Sequence, residues 1–183
     1  MSEEKRDRLS VSEDELIKRT ALNDREAFEC LYSRLHRSVY AYALTILKNK
    51  EDAEEVMQDC FLKIRAAAHT YHAQGKAQAW IFTIARNLCR MKCRETQKSV
   101  RVPVEDLESL LVFDPQTDIS LRLALEAAFK VLSDQDRQII VLRAYSDLKF
   151  TEIAAITELP LPTVLSKYRR GLAKLRKELE GKL

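Results

Sequence analysis

Apolar residues recur along most of this chain at steps of three and four, the period of a helix with one buried face. Phe28, Leu31, Tyr32, Leu35, Val39, Tyr42, Ala43 and Ile46 form one such stripe. Ala53, Val56, Met57, Cys60, Phe61 and Ile64 form a second, with Asp52, Glu55, Gln58 and Asp59 on the opposite face. Trp80, Ile81, Ile84, Ala85, Leu88 and Cys89 form a third, which runs on into a basic segment. Polar starts punctuate them. Ser12 with Glu15 has the spacing of a capping box, Asn23 with Glu26 suggests a second start, and Asn49 is placed to cap a third. The stretch "HTYHAQGKA", residues 69–77, is of mixed polarity and reads as a loop.

The period fails over residues 99–118, which carry two prolines. So long a connection fits a boundary between domains better than a loop inside one, with a short helical turn near Leu107–Leu111. The period then returns. Leu121, Ala124, Leu125, Ala128, Phe129 and Leu132 predict a fifth helix. Ser133 with Asp136 caps a sixth through Ile139, Ile140 and Leu142, and a short seventh spans about residues 150–157. No strand pattern stands out. The reading is an all-α chain of two small helical domains, residues 1–98 and 119–183, joined by a linker.

Pro160 and Pro162 sit between the seventh helix and the last. Proline is tolerated in the first turn of a helix, and it pushes the residue before it toward extended backbone. Pro162 therefore starts a helix, and Pro160 ends the preceding one. Val164, Tyr168, Gly171, Leu172 and Leu175 face that last helix inward, leaving Leu165, Ser166, Arg169 and Arg170 outside near its start. This is the layout of a helix-turn-helix, whose second helix enters the major groove of DNA. Arginine there suits guanine edges or phosphates, serine a base or phosphate, and leucine a thymine methyl.

Charge strengthens the nucleic-acid reading. The chain has 183 residues and a net charge of only +3, but the charge is blocked. Residues 162–182 hold seven basic side chains against two acidic ones, and residues 86–98 five against one. Residues 101–118 between them hold one against five. Two separated basic blocks suggest contact with a polyanion. Few glycines (3) and prolines (4) agree with a mostly helical chain. No apolar run is long enough to span a bilayer, and the first ten residues lack the apolar segment of a secretory signal, which predicts a cytoplasmic protein without membrane insertion. Cys30, Cys60 and Cys89 fall among apolar residues, where thiols act as small hydrophobes.

At this point the chain resembles the sigma factors of bacterial RNA polymerase, of the small extracytoplasmic-function (ECF) type, over about residues 12–182. "EDAEEVMQDCFLKI" (51–64) is similar to the family's core-polymerase-binding helix, with the pattern D-A-E-[DE]-hydrophobic-x-Q-[DE]-x-F. "AWIFTIARNLCRMKCRE" (79–95) resembles its promoter −10 helix, A-W-[LI]-x-x-I-A-R-N. "FTEIAAITELPLPTVLSKYRRGLAKLR" (150–176) resembles its −35-reading helix-turn-helix, I-P-x-G-T-V-K-S-R-L-x-R-A. The three segments in this order and spacing are far more specific than any one of them.

The resemblance implies a factor that directs core RNA polymerase to promoters and assists strand opening at −10. Its partners are core RNA polymerase, promoter DNA and, as a family expectation, an anti-sigma factor. It implies no enzyme activity of its own, no cofactor and no metal. The implied core contacts are Asp52, Glu55, Gln58 and Asp59. The implied −10 contacts are Tyr71, His72, Lys76, Arg86, Asn87, Arg90 and Arg94. The implied −35 contacts are Thr163, Leu165, Ser166, Lys167, Arg169 and Arg170. The acidic linker resembles the family's connection through the polymerase toward its RNA exit path. Ala77 and Gln78 stand where the family usually has Phe and Arg, Lys149 where it has a capping Ser, and Glu158 where it has a turn Gly. Pro162 stands where Gly is common, and Leu165 where Lys or Arg is common.

Two other classes fit parts of the chain. A stand-alone helix-turn-helix regulator needs only the C-terminal half and binds duplex DNA by itself. A helical metalloenzyme needs converging ligands, and His69 and His72 with Cys89 and Cys93 are the nearest approach to a zinc set. No Gly-rich phosphate loop, nucleophile elbow or paired catalytic carboxylates are present.

Overall fold

The computed structural model describes residues 11–96, 129–146 and 148–180, and among them every regular element is helical. Helix α1 is Glu13–Ala21, α2 Arg25–Leu47, α3 Lys50–Ala67 and α4 Ala77–Thr96. A single 3₁₀ turn, Ala68–Thr70, follows α3. Helix α5 is Asp134–Tyr145, α6 Phe150–Thr157 and α7 Leu161–Glu180. The expected linker, its helical turn and most of the helix expected before α5 lie outside the described residues.

The polar starts act as caps. Ser12 Oγ accepts the Glu15 N–H at 3.3 Å, Asn49 Oδ1 that of Asp52 at 2.8 Å, and Ser133 Oγ that of Asp136 at 3.2 Å. Each satisfies one of the donors a helix start leaves open. The start of α2 differs from expectation by one residue. Asp24 is the cap, accepting from Ala27 N–H at 3.0 Å, while Asn23 turns the chain at a positive φ of 61°. Asparagine tolerates that left-handed geometry. The Asp24 carboxyl is pulled below its ordinary range by that N–H and by the Arg19 guanidinium 2.7 Å away.

The periodic stripes become the core. Leu31, Leu35, Val39 and Tyr42 of α2 pack with Val56, Phe61 and Ile64 of α3 and Ile81, Phe82 and Ala85 of α4. The Tyr42 and Phe82 rings meet edge-on with centroids 5.6 Å apart. That is a favoured geometry for an aromatic pair. Burying each large apolar side chain is worth about 1.5–3 kcal/mol. Cys60 and Cys89 are part of this core, and burial raises both thiols, Cys60 to about 12. They therefore stay protonated and inert.

The C-terminal helices add Ile139, Leu142, Ile153, Ile156 and Val164 to the same buried core. Gly171 is where α7 comes close to α5. A Cβ there would lie 2.7 Å from Ile140 Cδ1. Leu172, expected to face inward, is exposed. Helix α2 packs against α5, and α4 against α6, so the two groups of helices touch.

The turn between α6 and α7 is made differently from the expectation. Helix α6 ends because Glu158 adopts a left-handed conformation, φ 54°, with the Leu159 N–H returning to the Ala154 carbonyl at 3.1 Å. That is a Schellman closure, which takes glycine most readily. Pro160 comes after the helix has already ended. Leu161 is the first residue of α7, and Pro162 lies in its first turn. A missing N–H does no harm there.

Candidate nucleic-acid and polymerase interface

The outer face of α3 follows from its amphipathic spacing. Glu55, Gln58 and Asp59 are exposed, and Asp52 is half-buried at the first turn. Lys92 of α4 reaches across to Glu55 at 2.5 Å and Asp52 at 3.4 Å, which fixes α4 against this edge. Leu62 lies one turn beyond Gln58 and is 63% exposed. An exposed leucine beside a polar row is a better interface anchor than a solvated side chain. Leu62 is absent from the sequence-derived contacts, although it sits off the apolar stripe and spacing alone is enough to single it out.

The loop before α4 is pinned from below. The Tyr71 hydroxyl donates to Asp14 Oδ1 at 2.7 Å, and the Gly75 N–H donates to the same oxygen at 3.0 Å. Gly75 has a φ of 67°. Glycine takes that conformation without steric cost. The Tyr71 ring lies 4.9 Å from that of Trp80. Tyr71 is therefore engaged within the fold, whereas His72 and Lys76 are exposed. Sequence alone does not single out Asp14, because nothing in its own helix pattern signals a contact 57 residues away.

On α4, Ile81, Phe82, Ala85 and Leu88 turn inward, so Arg86, Asn87, Arg90 and Arg94 fall on the other side. Asn87, Arg90 and Arg94 are exposed. Arg86 Nη1 donates to Glu158 Oε1 at 2.6 Å, and Arg90 Nη1 lies 3.2 and 3.3 Å from the two oxygens of the same carboxylate. The two guanidiniums hold the Glu158 carboxyl down at about 2. A cleft of about 670 Å³ lies alongside, with Tyr71, His72 and Trp80 on one wall and Lys149, Glu152 and Ala155 of the α6 side on the other.

On α7, Ser166 and Arg169 are exposed, and Thr163 and Leu165 are half-buried. Lys167 and Arg170 turn back toward α5. Lys167 Nζ is 3.8 Å and Arg170 Nη2 3.4 Å from Asp136 Oδ1, and Lys174 Nζ is 3.9 Å from Oδ2. Asp136 is only 1% exposed, and its Oδ2 accepts no hydrogen bond. Three cations thus surround one buried carboxylate at the start of α5, where the helix dipole also favours negative charge. In the sequence pattern Asp136 reads only as a capping residue.

Among the described residues no group of three or more His, Cys, Asp or Glu side chains is placed to hold a metal, and no helix is long and apolar enough to cross a membrane. Lys149 is a poor substitute for a capping serine, since an ammonium has no lone pair. Glu152 compensates in part by accepting the Lys149 backbone N–H at 2.7 Å.

Residues 31–99 match the family Sigma-70 region 2, and residues 122–175 match Sigma-70, region 4. The chain is 30% identical to "ECF RNA polymerase sigma factor SigK" of Mycobacterium tuberculosis, over 94% of its own length and 96% of that protein's. It is 24% identical to "ECF RNA polymerase sigma factor SigW" of Bacillus subtilis, over 89% and 94%. Its fold is similar to that of the sigma factor RpoE in complex with the anti-sigma factor NepR from Bartonella quintana, with a TM-score of 0.65, 24% identity, and 85% and 98% of the chains covered. CnrH in complex with the cytosolic domain of CnrY is a second such fold, with a TM-score of 0.61, 22% identity, and 93% and 99% covered. With both sigma regions matched in order and a relative aligned along nearly its whole length, the chain belongs to the ECF RNA polymerase sigma factors, proteins that act in transcription initiation.

Proposed function

We propose that three separate faces divide the work of initiation. The outer face of α3, with Asp52, Glu55, Gln58 and Asp59, binds core RNA polymerase. The loop at Tyr71, His72 and Lys76, with Arg86, Asn87, Arg90 and Arg94 of α4, takes up the −10 element as single strand. Helices α6 and α7 read the −35 element through Thr163, Leu165, Ser166, Lys167, Arg169 and Arg170. The observation that carries the reading is the row of guanidinium and amide donors on α4 beside a cleft with one ring-bearing wall. Single-stranded nucleic acid is held by such combinations of cations for phosphates and flat surfaces for bases. A base taken out of the stack needs a pocket of that kind.

Domain limits of 1–98 and 119–183 around an acidic linker at 99–118 go with this division. The factor works where the polymerase is, in the cytoplasm. RpoE and CnrH are described with NepR and CnrY, and an anti-sigma partner is proposed here by analogy. The polymerase carries the chemistry, and this chain supplies recognition.

Transcription in vitro with core polymerase on a promoter library tests the reading. Start sites that share a −35 and a −10 motif, and that vanish when either component is omitted, are expected. Tight, specific duplex binding by the isolated protein would instead favour a stand-alone regulator.

A further inference from the structure

Among the described residues three that are not glycine have positive φ: Asn23, Lys48 and Glu158. Lys48 and Glu158 each end a helix. Asparagine is at home in that conformation, but lysine and glutamate are not, and glycine fills such a position at lower conformational cost. The charged tips of these two residues have something in common. Lys48 Nζ pairs with Asp134 Oδ2 at 2.6 Å, and Glu158 pairs with Arg86 and Arg90 at 2.6 and 3.2 Å. Both ion pairs join the N-terminal helices to the C-terminal ones. The two strained helix ends are thus two charged bridges between the halves.

We infer that the free protein is self-latched: the turn of the helix-turn-helix sits on the −10 helix through Glu158, and nucleic acid must displace that carboxylate to reach Arg86 and Arg90. The inference rests on the −10 role proposed above for these arginines. A guanidinium presents its donors in one planar fork, and carboxylate and phosphate compete for the same face of it. Arg86 is held the more tightly, with its side chain only 14% exposed. Helix α6 also walls the cleft that the loop at 71–76 opens onto, so the strand and α6 compete for space as well as for charge. The latch is weak enough to release. The Glu158 side chain is 58% exposed and that of Lys48 51%. Ion pairs so open to water are screened by salt. Engagement with polymerase needs only to draw the C-terminal helices away to uncover the arginines.

The test uses the full chain without polymerase. Arginine-selective modification by a glyoxal reagent, read residue by residue by mass spectrometry, compares Arg86 with Arg25, which is 89% exposed and serves as reference. Two variants open the latch. Glu158→Gln removes the charge, and Glu158→Gly also relaxes the left-handed turn, so a folding defect does not confound it. Arg86 modification is expected to speed up about two- to fivefold in both. A fluorescent single-stranded −10 oligonucleotide is expected to bind more tightly by a similar factor. Glu180→Gln, which makes the same charge change at the far end of α7, should leave both readings as in the parent. Unchanged Arg86 modification would overturn the latch and leave the −10 role untouched. Faster modification without tighter oligonucleotide binding would overturn the masking and, with it, the −10 role of the two arginines.

Discussion

Tyr71 donates its hydroxyl proton to Asp14 across 57 residues of chain, and the same carboxylate oxygen also takes the Gly75 N–H. The first turn of α1 thereby sets the shape of the loop that leads into α4. Asp14→Ala should cost about 1.5–3 kcal/mol of stability in urea unfolding, the range for hydrogen bonds to a charged group. It should also slow promoter opening more than promoter binding, as read by a fluorescent base at −10. Opening at the parent rate would show that the loop needs no such support.

The buried Asp136 predicts an asymmetry. Removing Lys167, whose ammonium lies 3.8 Å from it, leaves a carboxylate in the interior with less compensation. Removing the carboxylate leaves Arg170 and Lys174 able to turn to water, since both are already about half exposed. Lys167→Met should therefore destabilise by about 1–3 kcal/mol, and Asp136→Asn should change stability by under about 1 kcal/mol. Thermal unfolding of the two variants decides, and the reverse order would refute the account.

Arg169 and Arg170 are both exposed, but the Arg170 guanidinium also lies 3.4 Å from Asp136. Arg169→Ala should lower the salt slope of −35 duplex binding by about 1 if it meets a phosphate, and Arg170→Ala by less. Equal slopes would place both on the backbone.

Leu62 and Asp59 share the exposed face of α3. Asp59→Lys and Leu62→Ser should each weaken core polymerase binding about tenfold or more, while stability stays within about 0.5 kcal/mol. Pull-down at graded concentrations measures the first and thermal unfolding the second. Normal core affinity in both variants would move the docking face elsewhere.

The Glu158 carboxyl, held at about 2 against an ordinary 4.5, gives a pH signature. The contact contributes fully above pH 4.5 and is lost as pH falls toward 2. That is the sign expected of any carboxyl whose folded value is depressed. The Glu158 side-chain carbon, followed by NMR, should titrate near pH 2 in the parent and move toward 4.5 in Arg86→Ala. An unchanged midpoint in that variant would mean Arg86 is not the group that depresses it.

Much of the architecture is legible in the chain because helix signals are local. Periodicity places α2, α3 and α4, and Ser12, Asn49 and Ser133 cap where their spacing says they should. The departures share one cause. Asn23 is a left-handed turn and not a cap, and Glu158 rather than Pro160 ends α6. Both outcomes depend on backbone conformation that residue identity only biases. The candidate site is legible as a set of faces, not as a set of partners. Asp14, Lys92, Asp136 and Glu158 each act on a residue at least 34 positions away, and no local pattern records such pairings.

The closeness of Gly171 to Ile140 bears on how α7 can be repositioned without any change to its outer face. At the rear of α7 a methyl group at 171 would meet the end of the Ile140 side chain at 2.7 Å, so either that side chain turns aside or the two helices part. Where the helices give rather than the side chain, the depth at which Ser166 and Arg169 are offered changes with them. On the −35 role proposed for α7, recognition is then open to retuning from behind, with every outward side chain left as it is.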